Sequence, residues 1–456
     1  MRPFQSIQLL IHFFWPLLWL AAPTPVFAGN GAIKAAPLVP FVKARGTGFL
    51  LGDAPYRFVG TNLWYAMNLG ASGPQGDRPR LIRELDRLMA IGVTNLRVMA
   101  ASEGPDSEPW RITPALQKSP GRFDPDLFAG LDFLLDEMAK RRMVAVMCLG
   151  NFWPWSGGMA QYLNWAGAGP IPYPPPSEGG SWSRYQTYTA QFYSNEAAIQ
   201  AHERTIRVIV GRVNTINGRA YAEDPTIMAW ELANEPRGDK NTASFGRWLE
   251  RVALLLKDLD PHHLVTTGSE GETTSPSSAG VDFVANHRSP AIDYATAHVW
   301  AQNWGWFDPK RPDATYAGAI KQMKVYLRDH IRKSREKLGK PLVFEEFGLA
   351  RDEGSFEPEA PTHWRDRYFK EFLAEALNPA GGMGAAGAGF WAWAGEGRPG
   401  RPAGANWRPG DTFVGDPPHE PQGWYGIYDT DSSTQNVIRA ATMRAAISPK
   451  PGVASR

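Results

Sequence analysis

The sequence predicts an α/β protein, a (β/α)8 TIM barrel built as a single domain with an N-terminal β-hairpin and long loops on its active face. Three observations carry that reading. Short apolar runs alternate with stretches of helical period, the pattern of a parallel sheet with helices outside. The runs number eight, as a closed barrel of this kind requires. The informative polar clusters stand directly after the runs, at strand ends, where barrel sites lie.

The elements follow in chain order. Arg2 precedes an apolar stretch from about Ile7 to Ala22, which reaches Val26-Phe27-Ala28 before the polar Gly29-Asn30-Gly31. This is the layout of a secretory signal peptide over residues 1–28. A membrane anchor is the rival, but Pro16 interrupts a run already shorter than the ~20 residues of a span. Residues 29–45 read as a tether, 46–448 as the catalytic barrel and 449–456 as a flexible tail. Phe49-Leu50-Leu51 and Tyr56-Arg57-Phe58-Val59 flank Gly52-Asp53 as a hairpin placed to cap the barrel bottom.

Strands are expected near Val59–Asn62, Thr94–Met99, Val144–Leu149, Ile227–Leu232, Leu264–Thr267, Tyr294–Val299, Leu342–Glu346 and Gly389–Trp393. Helices are expected over Pro79–Ala90, Asp126–Arg141, Asn195–Val213, Phe245–Leu259, Tyr316–Leu338 and His363–Leu377. An open doubly wound sheet is disfavoured because no glycine-rich phosphate loop follows the first strand. Two irregular insertions, Gly157–Trp182 and Gly395–Trp424, are rich in Pro, Gly and aromatic residues. Loops this long within a compact domain are usually functional or disordered, and tryptophan within both favours function.

Composition narrows the partners. The chain of 456 residues carries a net charge of +2 and no dense Lys/Arg block, so it has no electrostatic footprint for nucleic acid or anionic lipid. An uncharged partner is expected, with no membrane association after leader removal, in a secreted or periplasmic monomer. Cys148 is the one cysteine, which excludes an intramolecular disulfide and a cysteine-based zinc site. No cofactor and no metal are expected. His262-His263 diverge as strand neighbours, no His-Glu-x-x-His pattern occurs, and the pair reads as solvated after Asp260-Pro261.

Chemistry concentrates at two strand ends. Thr226-Ile227-Met228-Ala229-Trp230 runs into Glu231-Leu232-Ala233-Asn234-Glu235, with Pro236 ending the ladder. Far downstream, Pro341-Leu342-Val343-Phe344 runs into Glu345-Glu346-Phe347-Gly348. Two carboxylates on two strand ends are the minimum equipment for hydrolysing a glycosidic bond. Arg97 ends the second strand as a cation that burial would penalise unless a carboxylate pairs with it. His298 and Trp300 end the sixth. Trp64, Trp153, Trp155, Trp304, Trp306 and Trp393 follow or end strands on the presumed active face, and aromatic faces suit a neutral sugar polymer.

Trp230-Glu231-Leu232-Ala233-Asn234-Glu235-Pro236, Glu345-Glu346-Phe347-Gly348 and Phe390-Trp391-Ala392-Trp393 resemble glycoside hydrolase family 5, specifically its β-mannanase branch. Gly60-Thr61-Asn62, Gly157-Gly158-Met159-Ala160-Gln161-Tyr162, His298-Val299-Trp300 and Asn303-Trp304 extend the match, which runs from about Gly46 through the last strand. The resemblance implies a retaining mechanism with Glu235 as acid/base and Glu346 as nucleophile. Glu345 competes for the second role, but strand side chains alternate, so only one of the two can face the substrate.

The resemblance further implies that Arg97 holds Glu346 ionised, that Asn234 binds the sugar 2-hydroxyl, that His298 orients the acid/base region and that Trp391 forms the sugar floor. The charge of Glu346, together with partial burial, should raise the pKa of Glu235 and keep it protonated. The carboxyl separation should be the retaining value of about 5 to 5.5 Å. Trp300 departs from the tyrosine common in the family; it is either a donor to Glu346 or a stacking surface. Asn151 stands where family cellulases tend to carry histidine, which tilts the match toward mannanases. Trp64 and Trp153 complete the expected substrate-binding set.

The expected activity is endo-hydrolysis of β-1,4-mannosidic bonds in mannan, glucomannan or galactomannan by double displacement. The alternative is an exo-acting β-mannosidase working on manno-oligosaccharides, with the two insertions walling off one end of the cleft. A non-catalytic glycan-binding barrel is a further reading, which the intact carboxylate pair disfavours.

Overall fold

The computed structural model describes residues 40–377, 384–400 and 402–446. The expected signal peptide and C-terminal tail lie outside the described residues. Eight parallel strands form the central sheet: β1 (Phe58–Asn62), β2 (Asn95–Met99), β3 (Val144–Cys148), β4 (Ile227–Glu231), β5 (Leu264–Thr266), β6 (Ala295–Val299), β7 (Leu342–Phe347) and β8 (Gly387–Phe390). Their order is β5-β4-β3-β2-β1-β8-β7-β6. The two outer strands meet as well. Asp293 N–H donates to the Val265 carbonyl at 2.8 Å, and Thr266 Oγ1 to the Tyr294 carbonyl at 2.9 Å, closing the barrel. Every strand residue is buried, the expected result of helices outside and side chains filling the interior.

The hairpin is a three-stranded sheet. Gly48–Leu51 pairs antiparallel with Ala54–Tyr56 and also with Val42–Arg45, a strand inside the segment expected to be a tether. Val42 and Phe49 join Phe58, Val146, Met228 and Val343 in the lower barrel core. Phe49 meets Tyr294 edge-on at 5.4 Å, so the sheet plugs the barrel bottom.

Helices α1 (Arg78–Ala90), α2 (Pro125–Lys140), α3 (Glu196–Val210), α4 (Thr242–Leu259), α5 (Pro312–Lys333), α6 (His363–Ala376) and α7 (Ser432–Ala446) surround the sheet. The first three begin where capping chemistry requires: Asp77, Asp124 and Asn195 accept from backbone N–H groups of the opening turn. Sequence periodicity missed α7, whose inner face is mostly alanine and threonine around Ile438 and so has little apolar contrast. Strand β8 lies earlier than expected, and Trp391 falls beyond its end. The first insertion is not wholly irregular, since Gly158–Trp165 is helical. His263 is not solvated. It is buried, with Nδ1 2.5 Å from Asp260 Oδ2 and Nε2 2.9 Å from the Asp224 carbonyl; only His262 is exposed. Among the described residues, no helix is long and apolar enough to cross a membrane.

Candidate active site

The loop after β4 is pinned before it reaches the site. Asn234 N–H donates to the Gly150 carbonyl and Glu235 N–H to the Gly268 carbonyl, each at 2.9 Å. Gly268 has φ +75°, and a Cβ there would lie 2.0 Å from the Ala233 carbonyl oxygen, so only glycine lets the two loops approach. Glu235 itself adopts φ +49°, a left-handed conformation uncommon outside glycine and found where structure over-determines a functional residue.

Three strand ends then converge. Glu235 Oε1 lies 2.6 Å from His298 Nδ1, and Oε2 accepts from Trp153 Nε1 at 2.6 Å. The same His298 nitrogen is 3.3 Å from Glu346 Oε2. One oxygen from each carboxylate and one His298 nitrogen all lie within 4.8 Å of one another. Arg97 organises the rest. Its Nη1 donates to Glu346 at 2.5 Å and to Asn62 Oδ1 at 3.1 Å, Nη2 to Asn234 Oδ1 at 2.7 Å, and Nε and Nη2 grip Glu231 at 2.8 and 2.6 Å. The buried cation is therefore fully paired, as its cost requires.

A register shift chooses between the adjacent glutamates. Along β6 and β7, Ala297 pairs with Phe344 but His298 pairs with Glu346, skipping Glu345. Glu346 lines the pocket, whereas Glu345 points below it into a cavity of about 10 Å³ with Tyr294 and Arg97.

The electrostatics differ from expectation. Burial pushes Glu235 up, but the His298 contact outweighs it with help from Arg237 and Trp153, holding the carboxyl down at about 2. Burial pulls His298 down, but the charge of Glu346 and the bond to Glu235 raise it to about 10. Burial raises Glu346 to about 7 against the pull of His298 and Arg97. The shifts run against the expectation, down for Glu235 and up for His298, because an imidazole between two carboxylates is favoured in its charged form. Contrary to the sequence expectation, the charge of Glu346 does not set the Glu235 pKa, because His298 stands between them.

The pocket encloses about 380 Å³, within the range of small-ligand sites. Of the expected residues, Asn234, Glu235, Glu346, Trp153, Trp300 and Trp391 line it, as do Trp155 and Trp304. Trp300 packs against Tyr425 at 5.0 Å and Trp391 at 6.2 Å, and among the described residues no hydrogen bond joins it to Glu346. Four expected substrate-binding residues stand outside the pocket lining: Arg97 and His298, which contact the carboxylates, and Trp64 and Asn151. Trp64 is buried in the core, donating to the Gly415 carbonyl at 2.6 Å and packing on Trp155 at 5.1 Å. Asn151 accepts from Asn234 at 3.2 Å and from Trp153 N–H at 3.0 Å, so it supports the site from behind. Trp393 also faces away, donating to Glu84 at 2.9 Å.

Sequence reasoning missed Arg237, Glu270, Trp182, His419, Glu420 and Tyr425, all of which line the pocket. Arg237 grips Glu270 at 2.5 and 2.7 Å and lies 4.8 Å over the Trp153 ring. The strand-end rule would have found this pair, since Arg237 follows Pro236 and Glu270 follows β5. Trp182, His419 and Glu420 sit in the insertions and Tyr425 directly after the second, where no periodic signal exists. Among the described residues, Glu235, His298 and Glu346 are also the one His/carboxylate trio with metal-ligand spacing, so a cation would compete with the acid–base constellation.

Comparison with known proteins follows the same lines. Residues 39–448 match the model of the glycoside hydrolase family 5 β-mannosidase-like group. Rice putative mannan endo-1,4-beta-mannosidase 9 is 33% identical over 391 residues, spanning 82% of this chain and 86% of that protein. Putative mannan endo-1,4-beta-mannosidase 4 of Arabidopsis thaliana is 31% identical, spanning 80% and 86%. The crystal structure of a family 5 mannosidase from Rhizomucor miehei is 37% identical, with TM-score 0.81, 90% of this chain and 98% of that one. A mutant of that enzyme in complex with mannosyl-fructose aligns equally well, at TM-score 0.81 over 90% and 99%. A (β/α)8 barrel with paired glutamates at the ends of β4 and β7, matched along nearly its whole described length, makes this chain a member of glycoside hydrolase family 5.

Proposed function

We propose that the protein hydrolyses β-1,4-linked mannosides with retention and acts from the chain end, releasing mannose. The observation that carries the exo reading is the meeting of the two insertions. Trp182, at the end of the first, packs edge-on against His419 of the second at 5.7 Å, and Glu420 borders the same pocket. An enzyme cutting inside a polymer needs a cleft open at both ends, and we read this contact as closing one of them. The mannosidase and mannanase names of the relatives support the sugar.

Retention is supported by proximity. One oxygen of each carboxylate lies within 4.8 Å of the other, which favours the carboxyl spacing of about 5–5.5 Å of retaining enzymes over the about 6.5–9.5 Å of inverting ones. Glu346, fixed by Arg97, attacks the anomeric carbon; its C–O bond forms as the glycosidic C–O bond breaks. Glu235 gives a proton to the departing oxygen, drawing on the one shared with His298 across 2.6 Å. Water then attacks the glycosyl-enzyme while Glu235 takes its proton, and Glu346 leaves as carboxylate. Asn234, oriented by Arg97, is placed for the 2-hydroxyl, and Trp391 for the sugar face. The N-terminal leader would carry the enzyme out of the cytoplasm.

The test is a hydrolysis panel of mannohexaose, mannan, glucomannan, cellulose and xylan with wild type and Glu346→Ala. Mannose appearing from the first time point, with no activity in the variant, is expected. A ladder of oligomers would restore the endo reading that the plant relatives' names favour, and predominant cellulose cleavage would overturn the mannoside assignment.

A further inference from the structure

Glu345 has no place in the scheme above, yet it is buried beside the reacting groups. Its Oε2 lies 3.9 Å from His298 Nε2, on the opposite edge of the ring from Glu235, and 3.9 Å from Arg97 Nε. Those distances are ion-pair contacts rather than hydrogen bonds. Neither His298 Nε2 nor Glu345 Oε2 has any hydrogen-bond partner, although both are sealed from solvent. Two orphaned, complementary atoms facing each other are an uncommon expense in a protein interior. The backbone around them is fixed: Asn62 Nδ2 holds the Glu345 carbonyl at 2.8 Å, and a Cβ at Gly389 would come within 2.7 Å of the same oxygen.

We propose that Glu345 is a positioning residue of the hydrolytic reaction: from behind His298 it holds the imidazole by its free Nε2 edge and sets how tightly the His298–Glu235 pair keeps the proton the leaving oxygen receives. The inference rests on the acid/base reading of Glu235. Other charges face this group. Arg97 and Glu231 come from β2 and β4, Tyr294 precedes β6 with its hydroxyl 3.5 Å from Glu345, and Glu346 is the chain neighbour. On the pocket side, the Arg237–Glu270 pair and Glu420 act on Glu235. Arg97 is already engaged by Glu231 and Glu346, so Glu345 is the carboxylate left to answer the far edge of the imidazole. Burial raises Glu345 to about 7, which keeps its charge responsive to that of His298.

The test replaces Glu345 with two neutral residues, Gln and Met, so that a folding failure in one leaves the other. Removing a negative charge beside the ring weakens its hold on the proton, so the basic limb of the kcat/KM profile should move to lower pH by about one unit. Glu345→Asp should restore much of the wild-type limb. The loss should be large for mannobiose and small for a 2,4-dinitrophenyl β-mannoside, whose leaving group needs no acid. An equal loss on both substrates with an unmoved limb would make Glu345 a packing residue and overturn the proposal. Failure of the underlying reading looks different: wild-type enzyme would not cleave mannosides, or Glu235→Gln would leave mannobiose hydrolysis intact.

Discussion

Trp153 donates its indole N–H to Glu235 at 2.6 Å, on the carboxylate oxygen opposite the one that faces His298. Glu235, the proposed acid/base, is thus held from both sides, on one of them by a rigid ring that is itself fixed. Arg237 lies 4.8 Å over that ring, and the Trp153 backbone N–H is bound by Asn151.

Replacing Trp153 with Phe keeps most of the packed face and removes the donor. A hydrogen bond to a charged group is worth about 1.5–3 kcal/mol, so kcat/KM on mannobiose should fall roughly 10- to 100-fold. The sign of the pH effect is also fixed. The Trp153 bond lowers the Glu235 pKa, so its loss lets the carboxyl keep a proton longer, and the basic limb should move to higher pH. That is opposite to the shift expected for Glu345→Gln, and a pH profile of the two variants separates them.

Much of this site was legible in the sequence because strand ends announce themselves. Glu231, Asn234 and Glu235 follow an apolar run too buried to be a loop, and Arg97, His298 and Glu346 end runs of the same kind. What pattern cannot convey is direction. Trp64 and Trp153 both follow strands and look alike in sequence, but the first turns into the core toward Gly415 and the second toward Glu235. The shift that aligns His298 with Glu346 is likewise a matter of three-dimensional register. The downward shift of Glu235 escaped the sequence for a related reason: a histidine between two carboxylates cannot be inferred from either carboxylate alone.

Acid sensitivity should come from elsewhere in the barrel. His287 is buried with Nδ1 2.7 Å from the Phe283 carbonyl and Nε2 facing Thr296 N–H at 3.2 Å. His330 repeats the arrangement, with Nδ1 2.9 Å from the Tyr326 carbonyl and Nε2 accepting Glu272 N–H at 2.9 Å. In each, Nε2 must stay unprotonated to accept. Burial lowers them to about 3 and about 4, against an ordinary 6.5. Their contribution is complete above pH 6.5 and is lost as pH falls toward those values, by about 2 kcal/mol each between pH 6.5 and 5. Urea titrations should show stability falling over that interval, and His287→Gln should flatten the slope.

A buried ion pair ties the loop after β7 to the residue that precedes α7. Arg351 Nη2 reaches both oxygens of Asp431 at 2.7 Å, and Arg365 stands 3.5 Å from the same carboxylate. Both arginines are almost wholly buried. Removing one partner of such a pair leaves uncompensated charge, so Arg351→Met should cost about 3–5 kcal/mol in chemical denaturation. A loss under 1 kcal/mol would mean that Arg365 takes over the partnership.

Trp182 offers the sharpest test of how the pocket is closed. It is 38% exposed, an uncommon state for so large an apolar ring, and it touches Trp153 at 5.5 Å and His419 at 5.7 Å. It therefore links the acid/base support to the second insertion without contacting Glu235 or Glu346. Trp182→Ala should open that end of the pocket while leaving the catalytic hydrogen bonds in place. The variant should hydrolyse an aryl β-mannoside within a few-fold of wild type, while its mannohexaose products extend from mannose to mannobiose and mannotriose. If mannose alone still accumulates, the wall lies elsewhere, and Glu420, which borders the same pocket with a carboxyl that burial drives strongly upward, becomes the residue that stops the chain. Glu420→Ala in the Trp182→Ala background would then release the longer products, because the two barriers act in series on one path.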